Sequence, residues 1–286
     1  MTVTFEQLFD SSNNSKRTVF LPYVCCGDPN ITFTKKLIHT LVKNGADGLE
    51  LGIPFSDPIA DGKTIQAASN RALKNGTNTK MAFDLIADLR KEGITIPIAI
   101  MTYYNIIYSQ CVENFVALAK KAGANGFVVP DVPVEESGPL YNSCTANGLS
   151  LISLVTPQTT SDRLKLILQK ASGFVYLVSV AGTTGSRDGI SSAALFALKE
   201  IPRYTNLPVV VGFGISKPEH AKAYSDAGAR GVIVGSEIVN IYSKYLRVKE
   251  DGTGAFVDSG EEKALEEVGE FTRKVKLAMQ KSYKPL

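Results

Sequence analysis

The stretch Asn44-Gly45-Ala46-Asp47-Gly48-Leu49 has two counterparts that share its Gly-Ala-x-Gly core, Ala122-Gly123-Ala124-Asn125-Gly126-Phe127 and Ala227-Gly228-Ala229-Arg230-Gly231-Val232. Each copy follows a helical pattern and precedes an apolar run. It therefore indicates a helix that ends at a glycine, a short turn and then a strand. This internal repetition favours one closed array of strand–helix units over two separate domains.

Working outward from these junctions, we find eight strand–helix units between residues 19 and 248, about 29 residues per unit. The strands are rich in Val, Ile and Leu, as expected of parallel strands covered by helices. We therefore predict an α/β fold, a (β/α)8 TIM barrel, with function at the carboxyl ends of its strands. The predicted strands are residues 19–25, 48–53, 97–104, 126–130, 150–156, 174–180, 208–214 and 231–235. The predicted barrel helices are residues 31–44, 63–73, 80–91, 111–122, 134–147, 161–171, 191–203, 217–227 and 237–248.

The segments outside this barrel core are short. Residues 4–13 predict an extra N-terminal helix, residues 249–260 a polar, glycine-bearing linker, and residues 261–281 a C-terminal helix with one apolar side. We expect this last helix to close the barrel, although an apolar helix face can also bind a partner. The whole chain, residues 1–286, is thus predicted to form a single TIM-barrel domain with a barrel core at about 19–248 and a C-terminal linker and helix at 249–286.

Composition excludes several classes of function. A net charge of +3, from 31 basic and 28 acidic residues, argues against nucleic-acid binding. The four cysteines and two histidines have no metal-ligand spacing, so we predict no metal site and buried or half-buried thiols in a reducing cytoplasm. No secretory signal and no apolar run of about 18 residues is present, so we expect a cytoplasmic protein without a membrane span.

Two carboxylates stand out in the stretch Leu49-Glu50-Leu51-Gly52-Ile53-Pro54-Phe55-Ser56-Asp57-Pro58-Ile59-Ala60-Asp61-Gly62. Glu50 lies in an apolar strand, and Asp61 follows it on a loop made rigid by prolines. An ionisable side chain buried at a strand end needs a reason, so we predict that both residues are catalytic. The alternative is structural: a Glu held by a Lys or Arg, and an Asp that caps the next helix.

Three late strand ends are rich in glycine, at residues 181–186, 212–216 and 235–237. Glycine lets a ligand approach backbone N–H groups, and the last of these stretches opens a helix, so we predict a phosphate site that includes Gly185, Gly214, Gly235 and Ser236. Tight turns are the alternative for each glycine alone. Other strand ends supply aromatic and apolar side chains, namely Tyr23, Met101, Tyr103, Tyr176 and Phe213. Together these residues suit an aromatic ring joined to a phosphorylated chain.

These motifs resemble those of the tryptophan synthase alpha subunit family. The resemblance includes residues 50–62, Pro130-Asp131-Val132-Pro133, Gly182-Thr183-Thr184-Gly185 and Gly212-Phe213-Gly214-Ile215-Ser216, and it runs in order along almost the whole chain. Lys63 and Val180 differ from the residues common in the family. The resemblance implies a carbon–carbon lyase (EC 4.2.1.20) that cleaves indole-3-glycerol phosphate to indole and glyceraldehyde 3-phosphate in tryptophan biosynthesis. It further implies no cofactor in this chain and an alpha2-beta2 assembly with a pyridoxal-phosphate-dependent beta subunit that receives the indole.

By motif position, Glu50 and Asp61 match the family's catalytic carboxylates, and Thr184 matches a loop threonine that orients the aspartate. Tyr23, Tyr176 and Phe213 match pocket positions, while Gly214, Gly235 and Ser236 match phosphate contacts. The expected chemistry agrees with this match. Asp61 can favour the indolenine form of the ring, and Glu50 can protonate the ring carbon C3 and then accept the side-chain hydroxyl proton. Such a Glu needs a raised pKa, which an apolar barrel mouth supplies.

Three alternatives stay open from the sequence. Another phosphate-binding barrel, such as a sugar-phosphate isomerase, also works with carboxylates but does not need an aromatic pocket. A non-catalytic barrel that only activates a partner does not need Glu50 and Asp61. A standalone lyase that releases free indole has the same residues as the paired enzyme.

Overall fold

The computed structural model describes residues 2–15, 17–179 and 190–280 of the chain. Eight parallel strands form a closed barrel, in which each strand pairs with the next in sequence and the last pairs with the first. The strands are β1 (Val19–Cys25), β2 (Leu49–Gly52), β3 (Ile98–Met101), β4 (Gly126–Val128), β5 (Ser150–Val155), β6 (Val175–Val178), β7 (Val209–Gly212) and β8 (Gly231–Val234). The predicted (β/α)8 barrel is confirmed.

Helices connect and surround these strands. They are α1 (Phe5–Asn14), α2 (Ile31–Lys43), α3 (Lys63–Lys74), α4 (Thr79–Lys91), α5 (Tyr104–Tyr108), α6 (Val112–Ala122), α7 (Gly138–Ala146), α8 (Ser161–Leu168), α9 (Ser192–Glu200), α10 (Pro218–Asp226), α11 (Ser236–Ser243) and α12 (Gly260–Gln280). Several begin at a side-chain cap; for example, the Asn30 side-chain oxygen accepts the backbone N–H of Phe33 at 2.8 Å. The extra helices α1 and α12 occur as predicted, and α12 packs against α2, α10 and α11.

The three repeated junctions have the conformation that the sequence predicts. Gly45, Gly123 and Gly228 have φ angles of +104°, +100° and +98°, a left-handed conformation that favours glycine at a helix end. Two residues later, polar side chains hold the starts of neighbouring strands. The Asp47 carboxylate accepts a backbone N–H of β1 at 2.8 Å, and the Asn125 side-chain oxygen accepts one of β3 at 2.9 Å. The repeated sequence motif therefore forms turns at the amino-terminal end of the barrel.

Asp47 also holds helix α12 on the barrel. Its carboxylate forms ion pairs with Lys276 of α12 and with Arg17, which precedes β1. Replacing Asp47 with Ala leaves the Lys276 ammonium, only 8% exposed, without its carboxylate, and we expect the free energy of unfolding to fall by about 3 kcal/mol. The control Asp84→Ala removes half of the exposed Lys80–Asp84 pair and should cost less than about 0.5 kcal/mol. Urea unfolding of both variants measures the difference. Equal losses of unfolding free energy would contradict the role of Asp47 in holding α12.

Several predicted boundaries are wrong for local reasons. The helix predicted over residues 237–248 ends at Ser243, and β9 (Leu246–Val248) then pairs antiparallel with β10 (Gly254–Phe256). The segment predicted as a linker is therefore largely a hairpin, which is held to the barrel because Phe256 packs on Phe33 with ring centroids 4.5 Å apart.

Several other elements are also shorter than predicted, for example the third strand and the helix predicted over residues 134–147. The third strand stops at Met101 because Tyr104 opens the short helix α5, and the seventh helix starts at Gly138 rather than at residue 134. The prediction for the thiols holds for Cys25, Cys26 and Cys144, which are buried, but Cys111 is exposed just before α6. All four cysteines are free thiols.

Over residues 2–15, 17–179 and 190–280, every helix is too short or too polar to cross a bilayer.

Candidate active site

A cavity of about 240 Å³ opens at the carboxyl ends of the barrel strands. Nine of the twelve predicted site residues line it: Tyr23, Glu50, Asp61, Met101, Tyr176, Phe213, Gly214, Gly235 and Ser236. They come from six different strands or the loops that follow them, which is how TIM barrels assemble their sites. The structure therefore brings the two carboxylates, the aromatic side chains and two of the glycine-rich strand ends into one place.

Glu50 points from the middle of β2 into this cavity and is 2% exposed. Its Oε2 accepts a long hydrogen bond of 3.5 Å from the Tyr176 hydroxyl, and its Oε1 has no hydrogen-bond partner within the described part of the chain. No Lys or Arg of that part forms an ion pair with it, so the structural alternative of a charge-paired Glu finds no support there. One oxygen of this buried carboxyl group is thus left without a hydrogen-bond partner among the described residues.

The electrostatics of Glu50 follow from this environment. Its pKa is raised to about 8, mainly by burial and also by the negative charge of Asp61, while the hydrogen bond from Tyr176 acts in the opposite direction. Near neutral pH the side chain is therefore mostly a neutral acid. A protonated carboxyl group is able to donate a proton to a substrate atom and then, as a carboxylate, to accept one.

Asp61 lies on the loop between β2 and α3 and faces the same cavity. Burial raises its pKa as well, while a hydrogen bond with the Tyr103 side chain lowers it. The structural alternative for this residue also fails, because α3 has Gly62 at its N-cap and no side-chain cap hydrogen bond. The Asp61 side chain therefore does not cap helix α3.

Tyr103, predicted as a substrate-binding residue, is not among the residues that line the cavity. It stands behind the Asp61 loop, where its hydroxyl accepts the backbone N–H of Ala60 at 3.2 Å and its ring stacks on Phe55 with centroids 5.0 Å apart. In this structure Tyr103 therefore contacts the Asp61 loop and the Asp61 carboxylate.

The glycines beside Glu50 serve the protein's own side chains. A Cβ at Gly52 would lie 2.1 Å from the Tyr23 hydroxyl, and one at Gly48 would lie 2.4 Å from Leu21 Cδ2. The Tyr23 ring occupies the space over Gly52. Gly52 thus lets the Tyr23 ring of β1 lie close to β2, where Tyr23 forms part of the cavity wall, and Gly48 leaves space for Leu21.

The opposite end of the cavity presents backbone. Phe213 and Gly214 have φ angles of +71° and +72°, an unusual conformation for Phe that ends β7 in a sharp turn. Gly235 precedes α11, whose first N–H groups have no acceptor within the helix, and Ser236 opens it. Such a helix start beside a glycine turn attracts anions.

Sequence reasoning missed six residues of the cavity wall: Ile65, Ile215, Ser216, Ile233, Glu237 and Asn240. Ile233 follows from the alternation of β8, and Ile215 and Ser216 stand in the glycine-rich stretch already singled out. Glu237 likewise stands in the stretch 235–237 already singled out, while Ile65 and Asn240 lie on helices whose rotation the sequence analysis did not specify. Thr184, Gly185 and Val180 lie outside the described residues.

Within the described ranges, no three His, Cys, Asp or Glu side chains are grouped so that they could hold a metal ion.

Comparisons with known proteins all indicate the same protein family. A family model described as "Tryptophan synthase alpha chain" matches residues 9–274. The tryptophan synthase alpha chain of Arabidopsis thaliana is 40% identical over 281 residues, covering 97% of this chain and 96% of that protein. The same-named protein of Methanocaldococcus jannaschii is 44% identical over 246 residues, covering 86% and 87%. A crystal structure of the tryptophan synthase complex from Pyrococcus furiosus superposes with a TM-score of 0.79 at 37% identity, covering 91% of this chain and 98% of that one.

Proposed function

This chain belongs to the tryptophan synthase alpha chain family, and from that membership we propose that it cleaves indole-3-glycerol phosphate to indole and glyceraldehyde 3-phosphate. The reaction is a retro-aldol cleavage in tryptophan biosynthesis. The single observation that carries the proposal is Glu50, a buried carboxyl group with one oxygen unpartnered among the described residues, which faces a cavity shared with Asp61. The cavity has aromatic walls at one end and a glycine turn with a helix start at the other, which suits an indole ring joined to a phosphate.

The proposed steps use the chain's own side chains. Glu50 donates its proton to C3 of the indole ring while Asp61 stabilises the positive charge that develops at the ring N–H. The Glu50 carboxylate then accepts the proton of the side-chain hydroxyl next to C3, and the carbon–carbon bond breaks as its electrons return to the ring. Glu50 ends the cycle protonated, as it began. Gly214, Gly235 and Ser236 hold the phosphate through backbone and hydroxyl groups, and Tyr23, Met101, Tyr176 and Phe213 pack around the ring.

The protonation states give a pH prediction. Cleavage needs a protonated Glu50, with a pKa of about 8, and an ionised Asp61, whose pKa is raised above its ordinary value of 3.8 by burial. We expect kcat/KM to follow a bell-shaped profile that falls on the alkaline side near pH 8 and on the acid side above the ordinary Asp range. Initial rates measured between about pH 4 and pH 10 test this. A rate that stays constant through the alkaline limb would contradict the role of Glu50 as the acid.

Membership of this family also supports the proposal of a partner subunit. We propose that the chain assembles with a beta subunit that consumes the indole, in an alpha2-beta2 complex, and that pyridoxal phosphate belongs to that subunit. We also propose that the chain acts in the cytoplasm and that its 286 residues form one domain, since α1, the hairpin and α12 all pack on the same barrel.

The test is to mix the purified chain with indole-3-glycerol phosphate, without added pyridoxal phosphate or metal, and to measure indole and glyceraldehyde 3-phosphate. We expect slow release alone and a sharp rise when a beta subunit is added. Fast release that the partner does not change would identify a standalone lyase instead. No release under either condition would overturn the proposed function and leave the carboxylates to another phosphorylated substrate.

A further inference from the structure

A buried polar network lies next to the candidate active site and is not part of its wall. The Asp28 carboxylate, 1% exposed, receives two hydrogen bonds from Arg71, from Nε to Oδ1 at 2.8 Å and from Nη2 to Oδ2 at 2.7 Å. The Tyr242 hydroxyl donates a third to Oδ2 at 2.5 Å. Arg71 also donates from Nη2 to the Ser243 hydroxyl at 3.2 Å. Few arrangements of side chains are as rigid as a bidentate pair reinforced in this way.

The three residues come from three different elements. Asp28 follows β1, Arg71 lies on α3 and Tyr242 lies on α11. Helix α3 begins two residues after Asp61, and α11 begins one residue after Gly235. The network therefore joins the helix that starts at the proposed catalytic aspartate to the helix that starts at the proposed phosphate site.

Asp28, Arg71 and Tyr242 do not line the cavity, although Asn240, two residues before Tyr242, does. Arg71 is eight residues into α3 and Tyr242 six residues into α11, which at 1.5 Å per residue places both about 10 Å from their helix starts. Nearer to the cavity the same two helices are joined again, since the Thr64 hydroxyl of α3 donates to Asn240 Oδ1 of α11 at 3.3 Å. Two contacts along their length set both the separation and the rotation of the pair.

We propose that Asp28, Arg71 and Tyr242 are positioning residues that fix the distance between the phosphate end of the cavity and Asp61. A substrate with a ring at one end and a phosphate at the other has to meet both ends at once. A displacement of about 1 Å between them therefore costs affinity and rate even when each end alone is intact. This inference rests on the proposed function, because it assumes a ligand that spans the cavity.

The experiment compares ligands that span the cavity with ligands that fill one end. The spanning probe is 3-(indol-3-yl)propyl phosphate, which lacks the hydroxyl group that the cleavage requires. The one-ended probes are indole and glycerol 3-phosphate. Tyr242→Phe removes one hydroxyl and keeps the ring that packs on Phe33 at 5.3 Å. Arg71→Lys keeps the positive charge beside Asp28 but loses the bidentate geometry, and it provides a second variant.

The matched control is Ser225→Ala. It deletes the hydroxyl of a buried pair, Thr18 Oγ1 to Ser225 Oγ at 2.6 Å, which lies at the amino-terminal end of the barrel. Thermal unfolding of all three variants establishes that each is folded. We expect Kd for the spanning probe to rise about tenfold in Tyr242→Phe and in Arg71→Lys, with less than a twofold change for either one-ended probe. Ser225→Ala should leave all three affinities unchanged.

Three results would overturn the proposal: an unchanged Kd for the spanning probe, an equal loss for all three probes, or the same loss in Ser225→Ala. The last two would show general loosening of the fold rather than positioning. Failure of the proposed function is seen separately and first, because the unaltered chain would then bind the spanning probe no more tightly than the one-ended probes. That outcome would overturn both proposals before any variant is compared.

Discussion

Replacing Glu50 with Gln should lower kcat for indole release by a factor of about 10³ to 10⁴. Glu50 is assigned two proton transfers in one cycle, and each transfer by a positioned side chain is typically worth about 10² to 10⁴. Gln has nearly the same size and keeps an oxygen for the Tyr176 hydroxyl, but it can neither donate a proton to C3 nor accept one from the hydroxyl. Steady-state indole release with and without a beta subunit measures the loss.

The control for this variant is binding. Glycerol 3-phosphate occupies only the end of the cavity away from Glu50, so its Kd should change by less than about twofold. A variant that loses both turnover and phosphate binding would indicate a distorted cavity. A variant that retains turnover would remove Glu50 from the mechanism.

The same substitution should change how stability depends on pH. Glu50 has a pKa raised from 4.5 to about 8 in the folded chain, so between these values the folded state holds a proton that the unfolded state has lost. The unaltered chain therefore loses stability as pH rises through this window. Glu50→Gln lacks this effect and should gain stability relative to it, by at most about 5 kcal/mol, between about pH 5 and pH 8. Urea unfolding at several pH values measures the gain, and a difference that does not vary with pH would contradict the raised pKa.

Replacing Asp61 with Asn should lower kcat by about 10² to 10³, a smaller loss than that for Glu50→Gln. Asp61 is assigned one role, which is to stabilise the positive charge at the ring N–H, and a neutral amide does this poorly. The acid limb of the pH profile should also disappear, because it reports the ionisation of Asp61. Initial rates over the same pH range measure both effects.

A matched control lies on the same loop. Asp57 is an exposed carboxylate four residues earlier whose observed partner is the Ser56 hydroxyl, and Asp57→Asn should leave the rate of the isolated chain within about twofold. Equal losses for Asp57→Asn and Asp61→Asn would show that the loop, rather than the Asp61 charge, matters. An acid limb that persists in Asp61→Asn would assign that ionisation to another group.

The barrel could be predicted from the sequence because its signals are local. The repeated junctions each place a glycine where the helix must end in a left-handed residue, and Gly45, Gly123 and Gly228 adopt that conformation. Glu50 stood out for a similar reason, since a carboxyl group inside an apolar strand is costly unless it serves a purpose. The hairpin at residues 246–256 was missed because its strands are three residues each, too short to show alternation.

The remaining details of the site depend on contacts between distant segments. Gly52 is small because the Tyr23 ring of the neighbouring strand needs its space, and only the register of β1 on β2 makes that visible. Whether Tyr103 faces the cavity or the Asp61 loop depends on where β3 ends. The network of Asp28, Arg71 and Tyr242 joins residues more than 40 positions apart in sequence, and no local pattern predicts it.

The protonation state of Glu50 tests the mechanism most directly. The side-chain carboxyl carbon of Glu50 can be followed by 13C NMR as pH is raised in the chain labelled at Glu, with Glu50→Gln used to assign its signal. We predict that this carbon titrates with a pKa of about 8, so that Glu50 is a neutral acid when substrate binds. Titration near the ordinary Glu value of 4.5 would mean that Glu50 is a carboxylate at neutral pH and has no proton to give to C3, which would contradict the proposed mechanism.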